Sequence, residues 1–581
     1  MRTRFLYFNI LFFLLLLLSL ASLQAQRSFV VPMQENSSVK IEAKYAFKNY
    51  PLIGYMPAQV SIENGSSEDF SYSVNSESIL RFGQSETLRS ENRIGAKSGT
   101  SVTSDFLLPL LSKRSNGLYS QFSVNIKGPF IASGLDHFTG DTSHGRNETP
   151  FIAMSQTLSA PVWTELSQHI RKSSKPFRGS PVDFLPVMKD WRAWIGIDAL
   201  WMTPADYLSL SADLRSALYE WLLQGGILVF CVTTDEALPA GFSSDASYPL
   251  FVGFGQVRKY IWDGKKLNID SVADDISKTH TRLVDKLSGT YFLNSGEAPG
   301  FFKNIGELKQ PMTLLLIIMF LFAIAMGPLN LFWLAPVGKR HRLFFTVPLI
   351  SLITSLLLAA LILFHDGIGG IGSRVMLKLV DAENKRIITM QEQAAKTGLL
   401  LSRSFKLPES TFIAEILLRN PLSERNFTNH GNLYGGDWFA SRSRQMHFLQ
   451  NISSGREAID LLNSNELANG ATPLILSSIP GVLEELRWID FSGQEWMASN
   501  VAAGQKTEMK QVDSNTDQIK DFVDRVGAGS IINTNWQRVT DRKGFFYAYS
   551  SDTPENFLPT LSSIRWNFNK VLWCGRITEG K

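Results

Sequence analysis

The hydrophobic rhythm of the chain changes several times. Between residues 27 and 135, short runs alternate apolar and polar positions: VKIEAKYAF, AQVSIENGS, DFSYSVNS, SILRFGQ and YSQFSVNIKG. Gly/Ser clusters and the Asn-Gly pair at 64–65 separate them. A period of two sends successive side chains to opposite faces, and Ser61, Glu63, Ser71 and Ser73 fall on one solvated face. This pattern predicts the antiparallel strands of a β-sandwich over 27–148.

From about residue 149 the period lengthens. PFIAMS and WIGIDALWM are mostly apolar runs read as buried strands, and DFLPVMKD is a further strand candidate. PVWTELSQHIRK and SADLRSALYEWLLQ read as helices. The second places Leu214, Ala217, Leu218, Trp221 and Leu222 at helical spacing, with Ser211 as its N-cap. Gly225 and Gly226 stop it, ILVFCV is the next strand, and KTHTRLVDKLSGTYFL adds a further helix and strand. Strands alternating with helices predict βαβ units and a parallel sheet over 149–305.

Two uncharged apolar runs follow, at 312–334 and 343–364. Each is long enough to cross roughly 30 Å of hydrocarbon as a helix. Gly327 and Pro328 interrupt the first, which predicts a kink or a close helix contact, and Trp333 suits an interfacial anchor. The connecting loop 335–342 carries Lys339, Arg340, His341 and Arg342, so the positive-inside rule puts it in the cytoplasm and the flanking domains outside. The two-residue period then returns in RVMLKLVDAENKRIITMQ, TFIAEILLRN, QMHFLQNI, TPLILSSI, ELRWIDFSG and EWMASNVAAG. These predict a second β-sandwich over 372–511. A C-terminal α/β segment, 512–581, holds a helix at 518–527 and the strands FFYAYS and KVLWCGRI.

Composition sharpens this picture in three places. At 581 residues the chain exceeds one core, so a multidomain protein of mixed α/β and all-β parts is expected. A net charge of +4 gives no reason to invoke nucleic acid. Cys231 and Cys574 are the only cysteines, which excludes a disulfide framework and a Cys-rich zinc site and favours two unpaired buried thiols. At the N-terminus, Arg2 and Arg4, an apolar core and Ala25 predict a secretory signal peptide over 1–25. Signal and basic loop independently give one topology, with both terminal domains outside the cytoplasm and a helical hairpin in the membrane between them.

The order of pieces resembles large uncharacterised bacterial envelope membrane proteins whose middle domain is similar to class I glutamine amidotransferases. The residues that carry the resemblance are GYMPAQVSIEN (54–64), DWRAWIGIDALWMTP (190–204), LRSALYEWLLQGGILVF (214–230) and GPLNLFWLAPVGKRHR (327–342). It covers roughly 30–510 and implies a Rossmann-like domain that serves as a scaffold without glutaminase activity.

The chemistry-bearing residues point the same way. A nucleophile elbow has the form G-x-C-x-G, because the sharp turn tolerates no side chain at the flanking positions. Around Cys231 those positions are Val229 and Thr233, both β-branched, and no His is near in sequence; His169 and His280 could approach only through the fold. GIGGIG at 367–372 follows a membrane helix and precedes a strand, so it reads as a flexible juxtamembrane linker rather than a phosphate loop. Asp136, His137, Asp141 and His144 share one loop without a recognised metal-ligand spacing. HExxH, GxSxG and CxxC are absent. The crevice at the strand ends of the α/β domain leaves Asp198, Thr203, Asp206 and Thr234 as ligand-binding candidates, with strand-end capping as the alternative. The expectation is a non-enzymatic, membrane-anchored envelope protein without cofactor or metal, whose partners are the membrane and other envelope or membrane proteins. The alternative is a periplasmic hydrolase or amidase using the amidotransferase-like domain.

Overall fold

The computed structural model describes residues 27–579, apart from 112–118, 140–149, 167–177, 280–304, 417–423, 513–529 and gaps of six residues or fewer. The expected signal peptide, the helix at 518–527 and most of the segment 278–293 lie outside the described residues.

Strands Ser28–Val30, Val39–Tyr45, Gly54–Asn64 and Thr100–Leu110 form a four-stranded antiparallel sheet. The alternation is literal in Val39–Tyr45, where Val39, Ile41, Ala43 and Tyr45 are buried and Lys40 is exposed. A second sheet carries Phe70–Phe82, Gln84–Ala96, Tyr119–Lys127 and Leu135–Thr139. Tyr72, Val74, Phe122 and Phe138 from it share one core with Ile41, Tyr45 and Val60 from the first, so the two sheets form a sandwich. DFSYSVNS and SILRFGQ are parts of one long strand rather than two.

That second sheet does not stop at the apolar helical hairpin. It continues into Arg425–His430, Leu433–Gly436 and Phe405–Lys406, making seven strands. Arg425–His430 runs parallel to Gln84–Ala96, with Arg425 opposite Glu86 and Asn429 opposite Ser90.

The α/β sheet has the order Arg178–Pro181, Phe151–Met154, Ala199–Met202, Ile227–Val232, Gly255–Ile261 and Leu250–Val252. All neighbours are parallel except the last pair. The crossover helix Ala212–Leu223 begins where Ser211 Oγ accepts from Leu214 N at 3.3 Å, and it buries Leu214, Ala217, Leu218, Trp221 and Leu222. DFLPVMKD is not a strand. Pro186–Lys189 and Trp191–Trp194 are 3-10 turns, because Pro186 pre-sets the helical φ and Asp190 caps the second turn through Arg192 N at 2.9 Å. Of WIGIDALWM, only Ala199–Met202 is extended.

A nine-stranded sheet follows the hairpin. Its centre pairs Gly370–Asp381 with Arg386–Thr397 on one side and with Ile564–Arg576 on the other, the latter in parallel. The 512–581 segment is therefore no separate unit: its strands Phe545–Ser550 and Ile564–Arg576 complete the middle of this sheet. One face packs on a small sheet bearing Ile459, Leu461 and Ile475. The other face, with Val375, Leu377 and Leu379, meets Trp191, Ile195 and Leu223 of the α/β layer and Ile531 and Trp536 of helix Ser530–Gln537.

The hairpin consists of Met312–Ile324, Ala325–Leu334 and Leu343–Asp366. Its two helices are long and apolar enough to cross a membrane, and almost none of their apolar residues are buried against the other described residues. The interruption at Gly327 and Pro328 takes the form of a π-helix over Ala325–Leu334. A proline removes one N–H and clashes with the carbonyl a turn earlier, and the wider i→i+5 pattern accommodates both. Ala335 N donates to Asn330 O at 2.8 Å in that register.

GIGGIG is not a flexible linker. Gly369 N donates to Leu399 O, Gly398 N to Gly369 O and Leu399 N to Gly367 O, all at 2.8–2.9 Å. Gly370–Asp381 starts within this stretch. Gly369 has φ +86°, and a Cβ there would lie 2.2 Å from Ser563 O, so the position requires glycine.

Candidate functional site

In a parallel sheet, the carboxyl ends of the strands form the crevice where ligands bind. Here Phe151–Met154 ends at Ser155 and Ala199–Met202 ends at Thr203. Thr203 caps helix Pro204–Ser209 in a reciprocal box: its Oγ1 accepts from Asp206 N at 3.0 Å, and Asp206 Oδ2 accepts from Thr203 N at 3.2 Å. Ser155 Oγ donates to the same Oδ2 at 2.6 Å, and Thr157 Oγ1 donates to Oδ1 at 2.7 Å. Asp206 is thus the hub of three hydroxyl residues on two βα turns. Both carboxylate oxygens are occupied, which suits holding the turns together.

Of the sequence candidates, the structure brings together Thr203 and Asp206. Asp198 is a correction. It precedes its strand, at the opposite end from the crevice, where its Oδ2 accepts from Phe151 N at 2.8 Å and its N donates to Phe151 O at 2.9 Å. It is 4% exposed and ties two strand starts together. Thr234 lies outside the described residues. Ser155 and Thr157 were not legible as partners of Asp206, since about 50 residues separate them. The one available signal was their place just after the PFIAM strand.

Cys231 lies inside the extended strand Ile227–Val232, opposite Tyr260, with no elbow at the thiol. Its side chain joins Ile152, Met154, Trp201 and Val272 in an apolar core. Burial pushes its thiol pKa far up, and the Asp275 and Asp206 carboxylates add to the shift. A thiolate is strongly disfavoured there. Cys574 is likewise buried, with its pKa raised by burial, and the two cysteines are free. His169 and His280 lie outside the described residues.

Asp136 pairs with Arg27 at 3.1 Å, and His137 Nδ1 lies 3.2 Å from Gln121 Nε2. Asp141 and His144 lie outside the described residues. Among the described residues, no three His, Cys, Asp or Glu side chains converge as a metal site would require.

Two buried ionic clusters went unnoticed in the sequence. Arg425 Nη2 meets Glu86 Oε1 at 2.6 Å, and Arg425 Nη1 meets Glu415 Oε1 at 2.5 Å. Arg487 holds Glu485 at 2.6 Å and Glu495 at 3.1 Å, and Tyr547 Oη donates to Glu495 at 2.8 Å. Both read as cross-strand ties. Between the α/β layer and the nine-stranded sheet lies a cavity of about 20 Å³, lined by Trp191, Gln224, Gln450 and Asn535 among others. That is room for a single water rather than for a substrate.

No protein-family model matches this chain, and no curated protein matches it. Solved structures with partial similarity include a Paenibacillus sp. cycloisomaltooligosaccharide glucanotransferase complexed with cycloisomaltoheptaose. It has 10% identity and a TM-score of 0.17, over 35% of this chain and 28% of that one. A calcium-binding mutant of Bacteroides uniformis beta-glucuronidase 2 gives 10% identity and a TM-score of 0.13, over 34% of this chain and 24% of that one. The same enzyme covalently bound to cyclophellitol-6-carboxylate aziridine gives 10% identity and a TM-score of 0.13, over 35% and 33%. The chain spans about a quarter to a third of the length of these proteins, and likenesses this slight assign neither fold nor function.

Proposed function

We propose that this chain is a non-enzymatic, membrane-anchored envelope protein whose extracytoplasmic domains bind a protein or ligand partner. One observation carries the reading. Gln84–Ala96, before the hairpin, and Arg425–His430, after it, are neighbours in a single sheet. Strands that hydrogen-bond to each other share one aqueous compartment, so the domains before and after the hairpin belong on the same side of any membrane it crosses. The basic loop Lys339–Arg342 supports the cytoplasm as the other side, by the positive-inside rule. The middle α/β domain, amidotransferase-like in its sequence resemblance, is then a scaffold whose crevice is closed by hydroxyl contacts to Asp206. The competing reading, a periplasmic hydrolase or amidase, needs a reactive Cys231, and its buried thiol opposes that role.

Topology is tested by single introduced cysteines, because the two native thiols are buried. Phe491→Cys, at a site 75% exposed, is expected to react with a membrane-impermeant maleimide on intact spheroplasts. Val337→Cys, in the loop and 90% exposed, is expected to react only after permeabilisation. Labelling of Val337→Cys in sealed spheroplasts would overturn the topology. A hydrolytic activity of the purified protein that disappears in Cys231→Ala would overturn the non-enzymatic reading.

A further inference from the structure

Four chain segments converge where the second apolar helix leaves its span. The helix Leu343–Asp366 passes directly into the bonded Gly367–Gly369 turn. Gly370–Asp381 then runs away from it, and Arg386–Thr397 returns antiparallel, with Thr397 opposite Gly370. The loop after Thr397 therefore comes back to the level at which the helix ended, and Leu399 N donates to Gly367 O at 2.9 Å. The turn before Arg444 is fixed to the same place, since Arg442 N donates to Gly398 O at 3.0 Å and Leu400 N to Ser441 Oγ at 3.0 Å. Ile564 lies opposite Gly370 and brings Ser563 and Arg565 to the same rim.

This rim carries apolar side chains that stay exposed among the described residues. Leu401 is 81% exposed and Ile368 is 68% exposed. Leu400, between the anchored Leu399 and Leu401, is buried at 7%, so the loop is held by its neighbours and only its tip projects. Arg403, Arg442 and Arg565 are exposed residues of the same converging segments, with Arg403 paired to Asp437 at 3.2 Å. Ile368 lies four residues past Phe364, the last residue of the apolar run, which at ~3.3 Å per residue is at most about 13 Å of chain. The headgroup layer on either side of the hydrocarbon is ~5–7 Å deep, so the rim stands at or just above it. Exposed leucine and isoleucine ringed by arginine are matched by a surface that offers acyl chain beside phosphate.

We propose that this rim is a lipid-contacting surface: Leu401 and Ile368 enter the headgroup region of the leaflet at that end of the helix, flanked by Arg442 and Arg565 at the phosphates. The sandwich would thereby be seated on the bilayer in one orientation instead of swinging on its anchor. The proposal rests on the reading that the hairpin crosses a membrane, and the test separates the two.

The full-length protein, reconstituted in phosphatidylcholine vesicles, is labelled with bimane at single cysteines introduced by Leu401→Cys, Leu352→Cys and Phe491→Cys. Leu352 is 57% exposed within the second span, and Phe491 is 75% exposed at the far end of the nine-stranded sheet. The far end follows from the register. Gly544 N donates to Ile489 O at 2.7 Å, Phe545 opposes Arg576, and Gly575 opposes Val380, ten residues and roughly 33 Å along the strand from Gly370. Vesicles containing nitroxide-labelled lipids are then the quenchers. The expected result is that a headgroup nitroxide removes at least half of the Leu401→Cys emission, a mid-chain nitroxide removes most of the Leu352→Cys emission, and Phe491→Cys is unchanged. Quenching at 352 with a Leu401→Cys signal as unaffected as that of Phe491→Cys would overturn the lipid-contacting rim and leave the membrane span standing. An absence of quenching at 352 would overturn the span itself and the rim with it.

Discussion

His447 sits in the middle of strand Arg444–Ser454 at 1% exposure, with Nε2 2.7 Å from Trp438 O and its ring 4.6 Å from that of Phe439. Burial is the main cause that pulls its pKa down to about 4; the bond to Trp438 opposes this and the nearby Arg425 cation adds to it. Glu415, opposite it on the next strand, is engaged by Arg425. The ring is therefore neutral at pH 7, with the Nε2 proton on Trp438 O. An unfolded chain binds a proton at its His near pH 6.5, whereas the folded one resists until about 4. The stability contributed by the neutral ring is present above pH 6.5 and lost as the pH falls toward 4, by up to ~1.4 kcal/mol per pH unit. His447→Gln keeps a donor toward Trp438 but does not titrate, and it is expected to flatten melting temperature against pH in that window. An unchanged slope in the variant would remove His447 as its source. At this scale chemical identity was legible and placement was not. Asp198 and Asp206 are both acids beside the same apolar strand, yet one ties strand starts together and the other gathers three hydroxyls at the opposite end.

At the scale of elements, the helix–strand junction at Gln224–Gly226 is set by backbone conformation. Gly225 has φ +108°, and a Cβ on Gly226 would lie 2.4 Å from the Trp221 ring. Leucine-rich helix, glycine stop and β-branched strand were all legible, because each depends on local conformational preference. Gly225→Ala forces an L side chain into a conformation it rarely adopts, and a destabilisation of more than ~1 kcal/mol is expected, read as a lower melting temperature. Melting at the wild-type temperature would show that the loop relaxes freely. The failures at this scale share one cause. The apolar content of DFLPVMKD suggests a strand, but Pro186 and the Asp190 cap favour 3-10 turns. The glycine content of GIGGIG suggests a flexible linker, but long-range hydrogen bonds to Leu399 and Ser563 order it.

At the scale of the whole molecule, the chain leaves the N-terminal sandwich, makes the hairpin and returns to extend the same sheet. Arg425 fastens that seam. Its side chain is 14% exposed, beside Glu86 at 3% and Glu415 at 15%, one from each side of the hairpin in sequence. Arg425→Ala leaves two buried carboxylates without their cation, and a cost of ~3–5 kcal/mol is expected. The measurement is thermal melting of the detergent-solubilised protein, together with limited proteolysis, which is expected to release the N-terminal sandwich earlier than in wild type. Wild-type melting and an unchanged digestion pattern would show that the strand pairing alone holds the seam.

Features that depend on neighbours along the chain are legible in the string of residues: two apolar runs with a basic loop, strands of period two, a helix with its cap and stop, and a cysteine without an elbow. Hydrophobic periodicity and charge asymmetry are local, so they can be read from one string. Which strands pair is fixed by packing across long stretches of chain. Arg425 lies 339 residues from Glu86, and the Ile564–Arg576 strand enters beside Gly370–Asp381 from nearly 200 residues away. A strand's own pattern declares which face is buried but carries no address for its neighbour, and that address comes from the packing of complete sheets.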